Sequence, residues 1–274
     1  YGAQAWLLDN IVGDKIKTVT LLPTGADPEN FDPTIATLRQ VADSRYYLTT
    51  STPGFEQRLG QLIHDNFRNV NIVDVTDGID IISGTHNRVE IESNIYGDHH
   101  ADHSHEAGHS HDTDPHLFSS VANARIIADN MLALVCEIDT ANAAYYRENH
   151  HRLINRLDSL DKVLYQDIRQ ACEEKGSHTV IVMHPILSYF ARDYRIRQVA
   201  LEESGKEASP RYLKESIEYA RETQPFAFVI ERGHMLPQMT EMARHLDIPV
   251  YELSLNDYEW FRNMEQLGHR LNSK

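Results

Sequence analysis

The stretch from His116 to Lys175 contains neither glycine nor proline, and it constrains the fold more than any other feature of this chain. Its second part keeps apolar residues at helical spacing, namely Tyr145, Leu153, Leu157, Leu160, Leu164 and Ile168. A helix over residues 141–174 would be about 50 Å long at roughly 1.5 Å per residue, well beyond the usual length. We therefore predict two helices, with a break and a cap at Asp139 and Thr140, and the second of them is a stiff helix that bridges two lobes.

Short apolar runs on both sides of this helix predict strands that alternate with helices. Before it, the predicted strands are residues 17–22, 46–49 and 71–75, with helices at 34–43 and 55–66. After it, the predicted strands are residues 179–183, 227–230 and 249–253, with helices at 213–222, 235–246 and 257–271. This alternation is typical of mainly parallel sheets covered by helices.

The predicted fold is therefore α/β, with two lobes that each contain a mainly parallel sheet flanked by helices. The N-terminal lobe covers residues 1–138, the connecting long helix residues 139–175, and the C-terminal lobe residues 176–274. The hydrophobic fraction of 41% is sufficient for a proper core. No apolar run reaches the roughly 20 residues that span a bilayer.

The charge and the cysteines limit the possible partners and chemistry. A formal net charge of −15 argues against nucleic acid as a partner, because phosphate binding requires basic patches. Cys136 and Cys172 lie between apolar neighbours, which favours buried free thiols, with a bridge between them as the alternative. The chain starts at Tyr1 rather than Met, and a removed signal peptide or a trimmed chain would each explain this.

A histidine-rich loop covers residues 97–113 and ends immediately before Asp114, Pro115 and His116. It contains His99, His100, His103, His105, His109 and His111. Imidazole suits zinc and other borderline metals, and the near absence of apolar residues predicts a loop that does not pack on a core. Many weak ligands on such a loop would collect metal ions, whereas the simpler alternative is a solvated polar loop.

Further metal-ligand types follow the predicted strands, where parallel α/β sheets bind their ligands. Glu29 follows the first strand, His184 follows Met183 directly, and Glu252 and Asp257 lie at or after the last strand. Together with His116 these residues could form one site between the lobes. Each also has a simpler explanation, since a histidine after a strand is often structural and a loop carboxylate is often only solvated.

Four segments resemble one known family. They are LLPTGADPENFDPT, DPHLFSS after the histidine-rich loop, VMHPILSYFARDY and FVIERGHMLPQM. In this order they resemble the cluster A-I (cluster 9) solute-binding proteins, the ZnuA-like metal-binding components of bacterial zinc and manganese ABC importers. The resemblance covers nearly the whole chain.

The resemblance implies a site as well as a function. His116 and His184 match two histidine ligands of the family. The third family histidine falls on Glu29, whose carboxylate can still bind zinc and also suits manganese. The acidic fourth position aligns with Ser254, so Asp257, Glu252, His234 or water would have to complete the shell.

The implied function is a monomeric, non-enzymatic binding protein. It would capture Zn²⁺, or alternatively Mn²⁺, and hand it to a membrane ABC permease. Its location would be the periplasm or the outer face of the cytoplasmic membrane, with a lipid-anchored precursor as one option. One alternative is a zinc hydrolase with Glu231 as base, although the chain has no HExxH motif. A surface adhesin of the same fold is the other.

Overall fold

The computed structural model describes residues 1–24, 26, 31–52, 54–82, 113–201, 210–233, 235 and 237–273. The N-terminal half contains helix α1 (Gly2–Val12), helix α2 (Ile35–Ala42), strand β1 (Tyr46–Thr49), helix α3 (Phe55–Asn66) and strand β2 (Asn71–Asp74). Strands β1 and β2 pair in parallel, with Tyr46 opposite Asn71. Among the described residues, no helix is both long enough and apolar enough to cross a membrane.

The N-terminal sheet is smaller than predicted. Residues 17–22 have an irregular conformation, so the prediction of a strand there is wrong. Val19 is 45% exposed and only Leu22 of this run is buried, in a cluster with Val41, Tyr47 and Phe55. In the described part of the chain, β1 pairs with β2 alone. β-Branched residues favour a strand only where a neighbouring strand is available for pairing.

Both helices predicted for this region are present. Helix α4 (Val121–Ile138) begins at Ser120, whose hydroxyl accepts a 3.0 Å hydrogen bond from the Asn123 backbone N–H. Helix α5 (Ala143–Lys175) has 33 residues, which makes it about 50 Å long, and it ends at Gly176 in the left-handed conformation. The chain breaks between them at Asp139, as predicted. The Asp139 side chain makes no capping bond; it accepts hydrogen bonds from Asn142 and Tyr146 instead.

The C-terminal half contains a four-stranded parallel sheet. Its elements are β3 (Thr179–Val182), α6 (Ser188–Tyr194), β4 (Arg197–Ala200), α7 (Pro210–Glu222), β5 (Phe228–Glu231), α8 (Pro237–Leu246), β6 (Val250–Leu253) and α9 (Trp260–Leu271). The strand order is β4-β3-β5-β6. Helices α1 and α6 and strand β4 are additional to the predicted elements.

Helices cover both faces of this sheet, as the alternation of its buried side chains shows. In β3, Val180 and Val182 pack into the main core with α5 and α9, whereas Ile181 packs on the opposite face with Met239 and Ala243 of α8. This period of two is the pattern of a strand that is buried on both faces. The α/β architecture with parallel sheets, helical layers and a long helix agrees with the predicted fold class.

The two ends of the chain meet beside the long helix. Helices α1 and α9 both pack on α5, and the Gly2 backbone N–H donates a 2.8 Å hydrogen bond to the carbonyl of Asn256. A Cβ atom at position 2 would lie 2.4 Å from the backbone nitrogen of Tyr258, so only glycine fits there. Arg156 of α5 lies over the rings of Trp6 and Phe261, 5.1 and 4.9 Å from their centroids. The main core therefore joins both halves of the chain.

Candidate metal-binding site

The structure brings together the two histidines that were predicted as ligands. The ring centroids of His116 and His184 lie 5.0 Å apart at an interplanar angle of 66°. Both residues are half-buried. His116 precedes the short 3-10 turn Leu117–Ser119 that leads into α4, and His184 lies in the loop between β3 and α6. Two imidazoles this close together can share one ion, because zinc binds imidazole nitrogen at about 2.0–2.1 Å.

Asp114 fixes the orientation of the His116 ring. Its Oδ1 accepts a 2.8 Å bond from the His116 backbone N–H and lies 2.9 Å from His116 Nδ1. Burial alone would raise the pKa of Asp114, but hydrogen bonds and charge from His116, together with a hydrogen bond from Ser188, lower it to about 2. The ionised carboxylate can only accept, so in the neutral form of the ring Nδ1 carries the proton and Nε2 keeps a free lone pair. A carboxylate behind a histidine is the usual support of a metal-binding imidazole.

His184 lies at a place where α/β sheets commonly bind ligands. It lies two residues after the end of β3, and β3 is flanked by β4 on one side and β5 on the other, so the chain reverses direction across the sheet here. Glu231 is the last residue of β5, the neighbouring strand. Ligands bind outside the carboxyl ends of strands at such a reversal. The backbone carbonyl of His184 accepts a 2.7 Å bond from Ile186, which tightens the turn before α6.

The candidates for a fourth ligand have different environments. Asp257 is 7% exposed, and its Oδ2 lies 3.4 Å from Nη1 of Arg232. Glu252 is exposed on β6, whereas Ser254 is buried and its backbone carbonyl accepts a bond from Asn263. Within the described ranges, no group of three or more His, Cys, Asp or Glu side chains is arranged to hold a metal ion. Of the predicted ligands, the described residues bring His116 and His184 together.

Several predicted ligands fall outside the described residues. They are Glu29, His234 and the loop histidines His99, His100, His103, His105, His109 and His111. Their roles stay predictions. Cys136 and Cys172 are both free thiols, in agreement with the preferred interpretation of the sequence.

Three residues around the pair were not predicted from the sequence, namely Asp114, Ser188 and Tyr189. Asp114 is 4% exposed, and carboxylates are almost never buried to this degree unless they are paired. The Asp-Pro-His sequence was the signal that could have indicated its role. Ser188 and Tyr189 belong to the first turn of α6. Their link to Asp114 depends on how the C-terminal half docks, so no local pattern could indicate it.

Comparison with known proteins identifies the family. Residues 2–267 match the sequence profile described as zinc-uptake complex component A, periplasmic (ZnuA). The chain belongs to the ZnuA family. The high-affinity zinc uptake system protein ZnuA of Bacillus subtilis is 28% identical over 197 residues, which cover 70% of this chain and 56% of that protein. The manganese ABC transporter substrate-binding lipoprotein ScaA of Streptococcus gordonii is 24% identical over 256 residues, covering 90% of this chain and 75% of that protein.

A solved structure shares the whole fold. A crystal structure of ZnuA superimposes with a TM-score of 0.81 at 23% identity, covering 99% of this chain and 95% of that one. The predicted fold class is thereby confirmed. The ZnuA family is a binding component of metal uptake and not an enzyme, so the hydrolase alternative has no support. The description of the family as periplasmic agrees with the predicted extracytoplasmic location.

Proposed function

We propose that this chain captures a divalent transition metal, with Zn²⁺ as the first candidate and Mn²⁺ as the second, and delivers it to a membrane ABC permease. The observation that carries the proposal is the 5.0 Å approach of the His116 and His184 rings, with Asp114 oriented behind His116. Membership of the ZnuA family supports it, as do the zinc and manganese uptake relatives. Reversible capture needs no covalent chemistry, only neutral imidazoles and a route for release.

The proposed ligand set adds carboxylates to the two histidines. Glu29 takes the place of a third histidine, and Asp257 is the proposed fourth ligand. Asp257 would first have to exchange its contact with Arg232 for the metal. Two imidazoles with one or two carboxylates suit zinc, and the carboxylate oxygen would leave manganese as a competitor.

The rest of the proposed arrangement follows the sequence. The histidine-rich loop would raise the local metal concentration near His116. The two lobes, residues 1–138 and 176–274, would approach the ion from either side, with residues 139–175 as the rigid connection. We expect a monomer on the outer side of the cytoplasmic membrane, with lipid anchoring of the precursor as one option. No described feature favours the adhesin alternative.

The direct test is competitive calorimetric titration of the intact protein with Zn²⁺ and with Mn²⁺. The variants are His116→Ala, His184→Ala and the double substitution. His64→Ala is the matched control, because the His64 side chain is 78% exposed and contacts only the neighbouring Asp65 among the described ion pairs. We expect one tight zinc site in the wild type and in the control, and its loss in the double variant.

Two results would contradict the proposal. Tight zinc binding that survives the double substitution would place the metal elsewhere. Only weak binding, the same in all variants, would mean that the histidine pair does not hold a metal. Adding Glu29→Ala and Asp257→Ala to the series tests the carboxylates separately, with a smaller loss of affinity expected for each.

A further inference from the structure

Helix α6 of the C-terminal half reaches across to the segment that carries His116. Its first two residues both contact Asp114. The Ser188 side chain hydrogen-bonds to Asp114, and the Tyr189 hydroxyl donates a 2.9 Å bond to the Asp114 backbone carbonyl. Asp114 in turn orients His116. The helix that begins four residues after His184 therefore holds the residue that orients the opposite histidine.

The Tyr189 hydroxyl makes a second hydrogen bond, to a residue on the other side of the histidine-rich loop in the sequence. It accepts from the backbone N–H of Ile82 at 3.3 Å. Ile82 precedes residues 83–113 and Asp114 follows them, and the Asp114 N–H donates to the Ile82 carbonyl at 2.8 Å. The Tyr189 hydroxyl thus bonds to both Ile82 and Asp114.

Further along α6, two charged residues also hydrogen-bond to the N-terminal half of the chain. Arg192 lies over the Tyr189 ring, 5.1 Å from its centroid, and its Nη1 donates a 2.9 Å bond to the backbone carbonyl of Asp80. The next residue, Asp193, accepts a hydrogen bond from the hydroxyl of Ser120, which caps α4. We name the four residues Ser188, Tyr189, Arg192 and Asp193 the α6 anchor.

Burial makes the central bond of the α6 anchor costly to lose. Tyr189 is fully buried, and this burial raises its pKa to about 12, so the hydroxyl keeps its proton at physiological pH. A phenylalanine at this position would remove the buried hydrogen bond to the Asp114 carbonyl and the partly buried one from the Ile82 N–H. An unsatisfied buried polar group costs more than the net gain of an ordinary hydrogen bond.

We infer that Tyr189 and Arg192 are positioning residues for metal binding, which hold His116 at a fixed distance from His184 and thereby set how fast the ion leaves. This inference rests on the proposed function. It goes beyond it by naming the contact that opposes release: separating the histidines requires the α6 anchor to leave Asp114 and Asp80. Affinity differences between variants of one binding site appear mainly as changes in dissociation rate.

The chain provides a matched control within the same helix. Tyr194 is also buried and its hydroxyl also donates a hydrogen bond. Its acceptor is Asp161 of α5, at 2.7 Å, and not Asp114. Tyr189→Phe and Tyr194→Phe therefore remove the same atom from the same helix. Only the first of them acts on the segment of His116.

The experiment measures zinc dissociation by rapid mixing of the zinc-loaded protein with excess chelator. The wild type, Tyr189→Phe, Tyr194→Phe, Arg192→Lys and the His116→Ala/His184→Ala double variant are compared, with the melting temperature of each metal-free protein recorded. We expect Tyr189→Phe to release zinc about tenfold faster than the wild type, as the loss of one buried hydrogen bond predicts. Arg192→Lys should be intermediate, and Tyr194→Phe should release zinc at the wild-type rate although its melting temperature falls.

Each result has a distinct meaning. Equal release rates in the wild type, Tyr189→Phe and Arg192→Lys would overturn the inference while leaving metal capture intact. Equal acceleration in Tyr189→Phe and Tyr194→Phe would also overturn it, because the effect would then be general loosening of α6. If Tyr189→Phe does not fold, the zinc dissociation rates of Arg192→Lys and Tyr194→Phe are compared instead, and equal rates would overturn the inference. Zinc release unaffected by the histidine substitutions would overturn both this inference and the proposed function.

Discussion

Asp114 and His116 are joined by two hydrogen bonds to a single carboxylate oxygen, one from the His116 backbone N–H at 2.8 Å and one from Nδ1 at 2.9 Å. The pair is separated by Pro115 alone, so the backbone holds the carboxylate and the ring in one geometry. Because Nδ1 is bound to Asp114, the opposite ring nitrogen of His116 is the one that can bind a ligand. It also makes stability depend on the ionisation of Asp114.

The first prediction concerns acid stability. The pKa of Asp114 falls from 3.8 to about 2 on folding, so its ionisation stabilises the protein above pH 4 and this contribution is lost as pH falls towards 2. The shift corresponds to a contribution of about 2 kcal/mol to the free energy of unfolding. Asp114→Asn should therefore be destabilised most near neutral pH, with a difference from wild type that shrinks between pH 4 and 2.

Chemical denaturation at several pH values measures this difference. Asp14→Asn is the control, because the Asp14 side chain is 81% exposed. A gap between Asp114→Asn and wild type that stays constant from pH 5 to the lowest pH at which both proteins fold would contradict the assigned ionisation.

The second prediction separates the histidine-rich loop from the tight site. Deleting residues 98–112 removes six histidines but leaves Asp114, His116 and His184 in place. We expect lower total metal stoichiometry with one tight site retained, measured by calorimetry. A variant with a Gly/Ser segment of equal length controls for the shortened chain. If the deletion abolishes all zinc binding, the loop and the histidine pair are not separate sites.

The third prediction tests the long helix. Leu157 is fully buried in α5, within the core that joins both halves of the chain. Leu157→Ala should lower the free energy of unfolding by about 3 kcal/mol, through lost burial and the cavity that remains. Gln166→Ala, at an exposed position of the same helix, should change it by less than about 0.5 kcal/mol. Comparable effects of the two substitutions in urea denaturation would show that α5 does not carry the shared core.

The fourth prediction concerns a buried carboxylate in the N-terminal half. Oε2 of Glu56, which is 2% exposed, accepts from the hydroxyls of Thr49, Thr50 and Thr52 and from the backbone N–H of Thr50 and Thr52. Glu56→Ala removes the acceptor that these donors share and should cost about 3 kcal/mol of stability. The neighbouring Gln57 is exposed, and Gln57→Ala should be nearly neutral in the same thermal or urea unfolding measurement. A loss below about 1 kcal/mol for Glu56→Ala would mean that water replaces the carboxylate.

Much of the fold could be predicted because burial patterns are local. The periodicity over 141–174 predicted α5, which spans Ala143–Lys175, and the apolar run at 46–49 predicted β1. The run at 17–22 has similar composition but forms no strand, since pairing depends on what lies beside it. The same limit explains why strand β4 was missed: Arg197–Ala200 is a short mixed sequence that becomes a strand by pairing with β3.

For the site, the sequence by itself determined the candidate ligand types and the places at strand ends where they occur. Residue chemistry and strand position could be predicted because both depend on short stretches of sequence. Only the tertiary structure decided that His116 and His184 meet, that Asp114 orients one of them, and that Tyr189 binds Asp114 from 75 residues away. The physical reason is that these contacts form when α6 docks against the segment before α4. Docking is driven by burial summed over many residues, and no short motif encodes that sum.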